Sequence, residues 1–187
     1  MSWKNSIKNY NPINHQEKKD KEIVLKCMGL FDDILSRENE IAHITSSGLV
    51  LNKNRDKILM VHHNIFNAWS WTGGHADGNE NMLHVALTEV MEEAGIKSLN
   101  PICDDIISLD VLSVLGHERK GQYVAPHLHI SVAYLFEGDE SEELKIKPDE
   151  NSDVKWIPVN EVENYSNELH MIYIYNKILT KTKLMQL

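Results

Sequence analysis

Polar and apolar positions divide this chain into segments of different period. Residues 1 to about 20 are polar, rich in Asn, Lys and Glu, and predict a loose arm. Ile23, Val24, Cys27, Leu30, Phe31, Ile34 and Leu35 then recur at three- and four-residue spacing, the apolar stripe of an N-terminal helix. From Ile44 the period shortens. Leu49 to Leu51 and Ile58 to Val61 flank the polar stretch Asn52-Lys53-Asn54-Arg55-Asp56 and predict a β-hairpin. Gly73, Gly74 and Gly78 come next, followed by a helical segment from about Asn79 to Ala94. Three later runs, Ile106 to Leu115, Leu128 to Phe136 and Val154 to Ile157, read as strands. Residues from Asn160 to about Thr180 read as a closing helix. A charged loop, Gly116 to Gly121, separates the first two of those strands, and an acidic stretch, Glu137 to Asp153, separates the last two. Strands around a central helix, with helices at both ends, predict a layered α/β domain.

The central helix carries the candidate chemistry. Leu83, Ala86, Leu87, Val90 and Ala94 form one narrow apolar stripe, the face expected to pack on a sheet. Glu89, Glu92 and Glu93 lie beside it as i, i+3 and i+4 neighbours, and Gly95 is placed to end the helix. Adjacent like charges on an exposed helix oppose folding by about 0.2–0.5 kcal/mol per pair. Beside a buried edge the repulsion grows, because the effective dielectric falls and ionised carboxylates lose hydration. No lysine or arginine on the same helix offsets them. A hard divalent cation would, and Mg²⁺ takes oxygen ligands while leaving positions for water and substrate phosphates.

Composition sets the boundaries. With 42% hydrophobic and 25% charged residues, the chain has the make-up of a folded globular domain, which excludes a disordered one. A formal net charge of −9 repels nucleic-acid backbones and anionic lipid, so no DNA or RNA polymer is expected as a partner. No apolar run approaches the roughly 20 residues that span a bilayer, so no membrane association is expected. The polar start, Met1-Ser2-Trp3-Lys4-Asn5, and two unclustered cysteines, Cys27 and Cys103, point to a reducing cytoplasm.

The segment from Gly73 to Ile96 resembles the Nudix box, G-x5-E-x7-R-E-U-x-E-E-x-G-U, in which U is aliphatic. Gly74, Glu80, Glu89, Val90, Glu92, Glu93, Gly95 and Ile96 all fall on its fixed positions. At residue frequencies near ~7% for Gly and Glu, six such matches arise by chance on the order of 10⁻⁷ per start position. The resemblance implies a Nudix-type α/β/α sandwich, with a central mixed β-sheet and an extra N-terminal helix. It divides the chain into an N-terminal arm and helix, residues 1–40, and a Nudix hydrolase domain, residues 41–187. It also implies Mg²⁺-dependent hydrolysis of a pyrophosphate linkage in a nucleoside diphosphate joined to another moiety, with Mn²⁺ as a substitute metal. By position, Glu89 and Glu93 correspond to the main metal ligands, Glu92 supports them, and the Gly74 carbonyl completes the site. Glu80 corresponds to the first box glutamate, whose role is structural.

One box position departs: the family's arginine before Glu89 is Thr88 here. His84, Arg119 and Lys120 are candidate replacement cations. The departure also leaves open a non-catalytic Nudix-like domain that binds a nucleotide or an ADP-ribose-like ligand. Glu150, Glu118 and Glu92 are candidate general bases. Among ten histidines, His75, His127 and His129 are the candidate substrate contacts. His127 and His129 share one side of a strand, and His75 follows Gly74 directly. A shared histidine pocket, for phosphate or a transition metal, is the sharper reading. Separate surface and core histidines are the expected one, since no Cys/His zinc spacing appears. Trp69 and Trp71 are expected in core and strand-edge packing. A homodimer interface and a lid are both open as uses of the N-terminal arm.

Overall fold

The computed structural model describes residues 2–119 and 121–185. The chain opens with α1 (Trp3–Asn9) and α2 (His15–Leu30), followed by β1 (Ala42–Asn52), β2 (Lys57–His63), β3 (Ala68–Ser70) and β4 (Thr72–His75). Helix α3 (Met82–Ala94) leads to β5 (Leu99–Pro101), β6 (Ser108–Val114), β7 (His117–Arg119), β8 (Gln122–Val124), β9 (His127–Gly138) and β10 (Asn151–Pro158). Two helices, α4 (Val162–Tyr165) and α5 (Leu169–Leu184), close the described chain.

Eight strands form one mixed sheet in the order β10-β2-β1-β9-β5, with β3 on β2, β4 on β1 and β6 on β9. Strands β1 and β9 run parallel, from Ala42 opposite Leu128 to Asn52 opposite Gly138, and every other pairing in the sheet is antiparallel. The expected hairpin is β1–β2, with Val50 opposite Leu59.

Alternation along the central strands sorts their side chains onto two cores. Ile44 and Val50 of β1, with Ile130, Val132, Tyr134 and Phe136 of β9, pack under Val24 of α2 and under Ala86 and Val90 of α3. Leu49, Leu51, Ala133 and Leu135 face the other way, against Ile174, Tyr175 and Ile178 of α5. With both faces covered, every residue of β1 is buried. Helices thus flank the mixed sheet on both sides, the α/β/α arrangement expected from the box.

The polar start of the chain is not loose. Residues 3–9 and 15–30 are helical, and Glu17 is fully buried there while Gln16 and Asp20 are half-buried, each with a hydrogen-bond partner. Lys177 of α5 lies 3.1 Å from Glu17 of α2 and also bonds Asp110 of β6, and none of these three side chains is more than 4% exposed. Gln16 donates to Asp110 at 2.9 Å, while Lys181 donates to the Ile107 carbonyl at 2.9 Å and to the Tyr10 hydroxyl at 3.2 Å. The polarity that predicts an arm is the polarity of an interface between both ends of the chain. Helix α2 also starts earlier than its apolar stripe, capped by the Asn14 side chain on the Glu17 amide, and it stops at Leu30, before Ile34 and Leu35.

Candidate active site

Strand β4 and helix α3 build the site together. Gly74 pairs with Ser46 of β1, and a Cβ on Gly74 would lie 2.0 Å from Glu89 Oε1. Only glycine lets the Glu89 carboxylate sit against this strand. Helix α3 begins at Met82, capped by the Asn81 side chain on the His84 amide, and ends at Gly95, which takes the left-handed conformation at φ 71°. Its buried face holds Met82, Val85, Ala86, Val90 and Ala94, while Leu83 and Leu87 are only partly covered. The same face carries Glu93, which is 2% exposed.

The Gly73 amide donates to Glu93 Oε1 at 2.8 Å. Burial raises the Glu93 pKa to about 8, with the charges of Glu89 and Glu150 adding to the effect and the Gly73 bond opposing it. Glu89 is also raised, by burial first and then by Glu150 and Glu92, against the pull of Lys147 and Arg37. Glu150 approaches from the loop before β10, and carboxylate oxygens of Glu89, Glu93 and Glu150 all lie within 4.8 Å of one another. Glu92, whose side chain is 54% exposed, is not in that group. Its Oε2 is 3.1 Å from Lys147 Nζ, and the same ammonium reaches Glu150 Oε1 at 3.1 Å. Burial opposes the charge on Lys147, but its bonds to Glu92 and Glu150 outweigh this and hold its pKa above the usual lysine range. Arg37 pairs with Asp77, whose carboxyl is held below its usual range by that bond, and adds positive potential at Glu89.

Both cations that ease ionisation of Glu89, Lys147 and Arg37, lie outside the box. Of the candidate replacements, His84 is exposed near the start of α3, and the Arg119 side chain and all of Lys120 lie outside the described residues. Glu118 is on β7 and stands outside the group of three acids, as does Glu80 on the loop before α3. Lys147 is hidden in sequence by the acidic stretch around it, and Arg37 by its place past the N-terminal helix. Their distances along the chain from the box give no periodic signal.

The histidines are not separate. His43, His75, His127 and His129 cluster with ring centroids 4.8–5.1 Å apart. His43 and His129 are register partners on adjacent strands, which accounts for the grouping and is not readable from spacing alone. Burial, then the neighbouring His75, His43, His127 and His117, lowers the His129 pKa to about 2. Successive residues of a strand point to opposite faces, so His75 leaves β4 on the side away from Glu89. Trp71 is buried against Tyr175, with ring centroids 5.6 Å apart, as a core residue, and Trp69 is half-buried beside Tyr165 and Lys155. No helix among the described residues is long and apolar enough to cross a membrane.

The NUDIX domain model matches residues 42–177. The chain is 28% identical over 140 residues to the RNA pyrophosphohydrolase of Pelagibacter ubique, a match covering 72% of this chain and 87% of that protein. A C. elegans Ap4A hydrolase binary complex superposes with a TM-score of 0.55 at 18% identity, covering 76% of this chain and 96% of that one. The E. coli dihydroneopterin triphosphate pyrophosphohydrolase gives a TM-score of 0.55 at 12% identity, covering 73% and 94%. These two likenesses concern the fold. The family match extends over most of the chain, which belongs to the NUDIX family.

Proposed function

We propose that this chain hydrolyses a diphosphate linkage in a nucleoside diphosphate joined to another moiety, with Mg²⁺ as cofactor, Mn²⁺ as a substitute, and the cytoplasm as its compartment. In this reading residues 41–187 are the catalytic domain and residues 1–40 an appended arm and helix. The observation that carries it is the set of three acids from two separate elements, Glu89, Glu93 and Glu150, meeting within 4.8 Å beside Gly74. Its donors are all oxygen, the set a hard divalent ion prefers, and the raised pKa values of Glu89 and Glu93 both include repulsion from Glu150, which such an ion would relieve. Glu89, Glu93 and the Gly74 carbonyl would hold the ion, and exposed Glu92 would support it from the rim. Glu150, whose carboxylate Lys147 holds at 3.1 Å, would take a proton from the attacking water. A bound divalent ion would neutralise phosphate charge and acidify that water.

Mg²⁺-dependent phosphate release should be assayed on dinucleoside polyphosphates, nucleoside diphosphate sugars, ADP-ribose, oxidised nucleotides and an RNA bearing a 5′ triphosphate. At least one is turned over, and Glu93→Gln lowers that turnover by about 10³-fold, the scale of losing one charge-stabilising group. Full turnover in Glu93→Gln refutes the assigned role. Tight ligand binding with no release from any substrate favours the binding-only reading, for which Thr88 is the sole feature.

A further inference from the structure

The chemistry proposed above assigns no role to the histidine cluster. We infer that His43, His75 and His129 form a second metal site, for a borderline transition metal of the Zn²⁺ type, distinct from the carboxylate site. One ring nitrogen from each lies within 4.8 Å of the others. Three imidazoles suit Zn²⁺ and its neighbours in the first transition row, whereas Mg²⁺ seeks oxygen.

The decisive detail is His43, which is 3% exposed. Its Nδ1 lies 2.9 Å from the Asn39 carbonyl, which can only accept, so Nδ1 carries the proton and Nε2 holds a lone pair. That buried Nε2 has no hydrogen-bond partner among the described residues. A proton on one nitrogen given to a backbone carbonyl, with the other left bare, is how proteins orient a metal-ligating histidine. An orphaned buried acceptor otherwise opposes folding. The fourth ring also has a carbonyl partner but no orphaned nitrogen. His127 Nδ1 lies 2.9 Å from the Ala125 carbonyl, and its Nε2 faces His129 Nε2 at 3.2 Å. A cation that bound here through His129 Nε2 would displace the proton between these two nitrogens, either releasing it to solvent or moving it to His129 Nδ1.

Zn–N bonds of about 2.0–2.1 Å place tetrahedral ligand nitrogens roughly 3.4 Å apart, so the cluster must contract by on the order of 1 Å. His75 and His129 are only half-buried and can turn toward the fixed His43. The three ligands come from three neighbouring strands, β4, β1 and β9. A metal there would pin β4, and with it Gly74, to the centre of the sheet, leaving a fourth position for His127 or an outside ligand.

The test titrates the full chain with Co²⁺, a visible reporter for Zn²⁺ sites, in excess Mg²⁺ that occupies the carboxylates. Expected is one Co²⁺ per chain with four-coordinate, nitrogen-ligand visible bands, displaced by Zn²⁺, and a raised melting temperature. His75→Ala and His129→Ala weaken binding at least tenfold, while Glu93→Gln leaves the bands in place. His43 is a core residue whose variant can fail to fold, so the half-buried His75 serves as the deciding position, with circular dichroism checking its fold. Absence of Co²⁺ bands in the wild type, or bands that survive in both His75→Ala and His129→Ala, overturns the site. Bands lost in Glu93→Gln also overturn it, by placing the ion among the carboxylates. The hydrolysis assay reports on the carboxylate site separately, so either reading can fail without the other.

Discussion

Glu93 makes the link between site and stability measurable. Without a divalent ion its folded-state pKa is about 8, against an ordinary value of 4.5, chiefly because the carboxyl is buried. The folded protein therefore holds this proton more tightly than the unfolded chain does. Between these two values the folded state binds more protons, so stability falls as pH rises, the sign opposite to that of a salt-bridged acid. Below pH 4.5 both states are protonated and nothing is lost. At about 1.4 kcal/mol for each pKa unit, the full loss above pH 8 is about 5 kcal/mol at most.

The assay is denaturant unfolding of metal-free wild type and Glu93→Gln across that pH range. The wild type should weaken steadily on the alkaline side. Glu93→Gln keeps the side chain's shape and removes the titration, so its curve should be flatter and the variant should be the more stable protein above neutrality. Added Mg²⁺ should stabilise the wild type most where the carboxylate is ionised, and the variant much less. Equal pH slopes for the two proteins would refute the reasoning, because they would mean the buried carboxyl does not resist ionisation.

Three other perturbations separate positioning from scaffolding. Lys147→Met frees Glu92 and Glu150, and should lower turnover by about 10–100-fold, the usual scale for a partner that orients a site. If Lys147 replaces the family's arginine, adding Thr88→Arg should restore part of that loss, while Thr88→Arg alone changes turnover little; steady-state kinetics of the four proteins decide it. Gly74→Ala pushes a methyl against Glu89 Oε1, where the flexible carboxylate rather than the backbone yields, so turnover and Mg²⁺ affinity should fall with melting temperature nearly unchanged. Lys177→Met leaves Glu17 and Asp110 buried without their ammonium and should destabilise folding by about 3–5 kcal/mol in denaturant titrations.

The box helix is legible in sequence because a three- and four-residue period, a glycine stop and a fixed glutamate spacing all agree over one short segment. The hairpin and the strands at Ser108–Val114, His127–Gly138 and Asn151–Pro158 are legible from apolar runs. Strand β4 is not, since its Thr-Gly-Gly-His sequence lacks any β signature and pairing with β1 alone makes it a strand. The N-terminal helices escape a reading in which charge stands for exposure. Glu17 is charged and fully buried, and its partner in the interior is Lys177, from the far end of the chain. The same holds for the site. Glu89 and Glu93 share a helix and can be found together, whereas Glu150 and Lys147 join them only through the sheet.

That division explains how a chain of net charge −9 can gather acids without a box arginine. On the helix alone, Glu89, Glu92 and Glu93 repel with nothing to oppose them. The fold adds a fourth acid, Glu150, which by itself worsens the repulsion at Glu89 and Glu93. It arrives with Lys147, three residues before it, which bonds Glu150 and Glu92 together and eases ionisation at both buried carboxyls. Lys147 thus neutralises the rim, and among the described residues no ion pair reaches Glu89 or Glu93. With the compensating charge held at the rim by Lys147, the inner acids keep their raised pKa values, and whether that lysine stands in for the box arginine is what the paired Lys147→Met and Thr88→Arg variants measure.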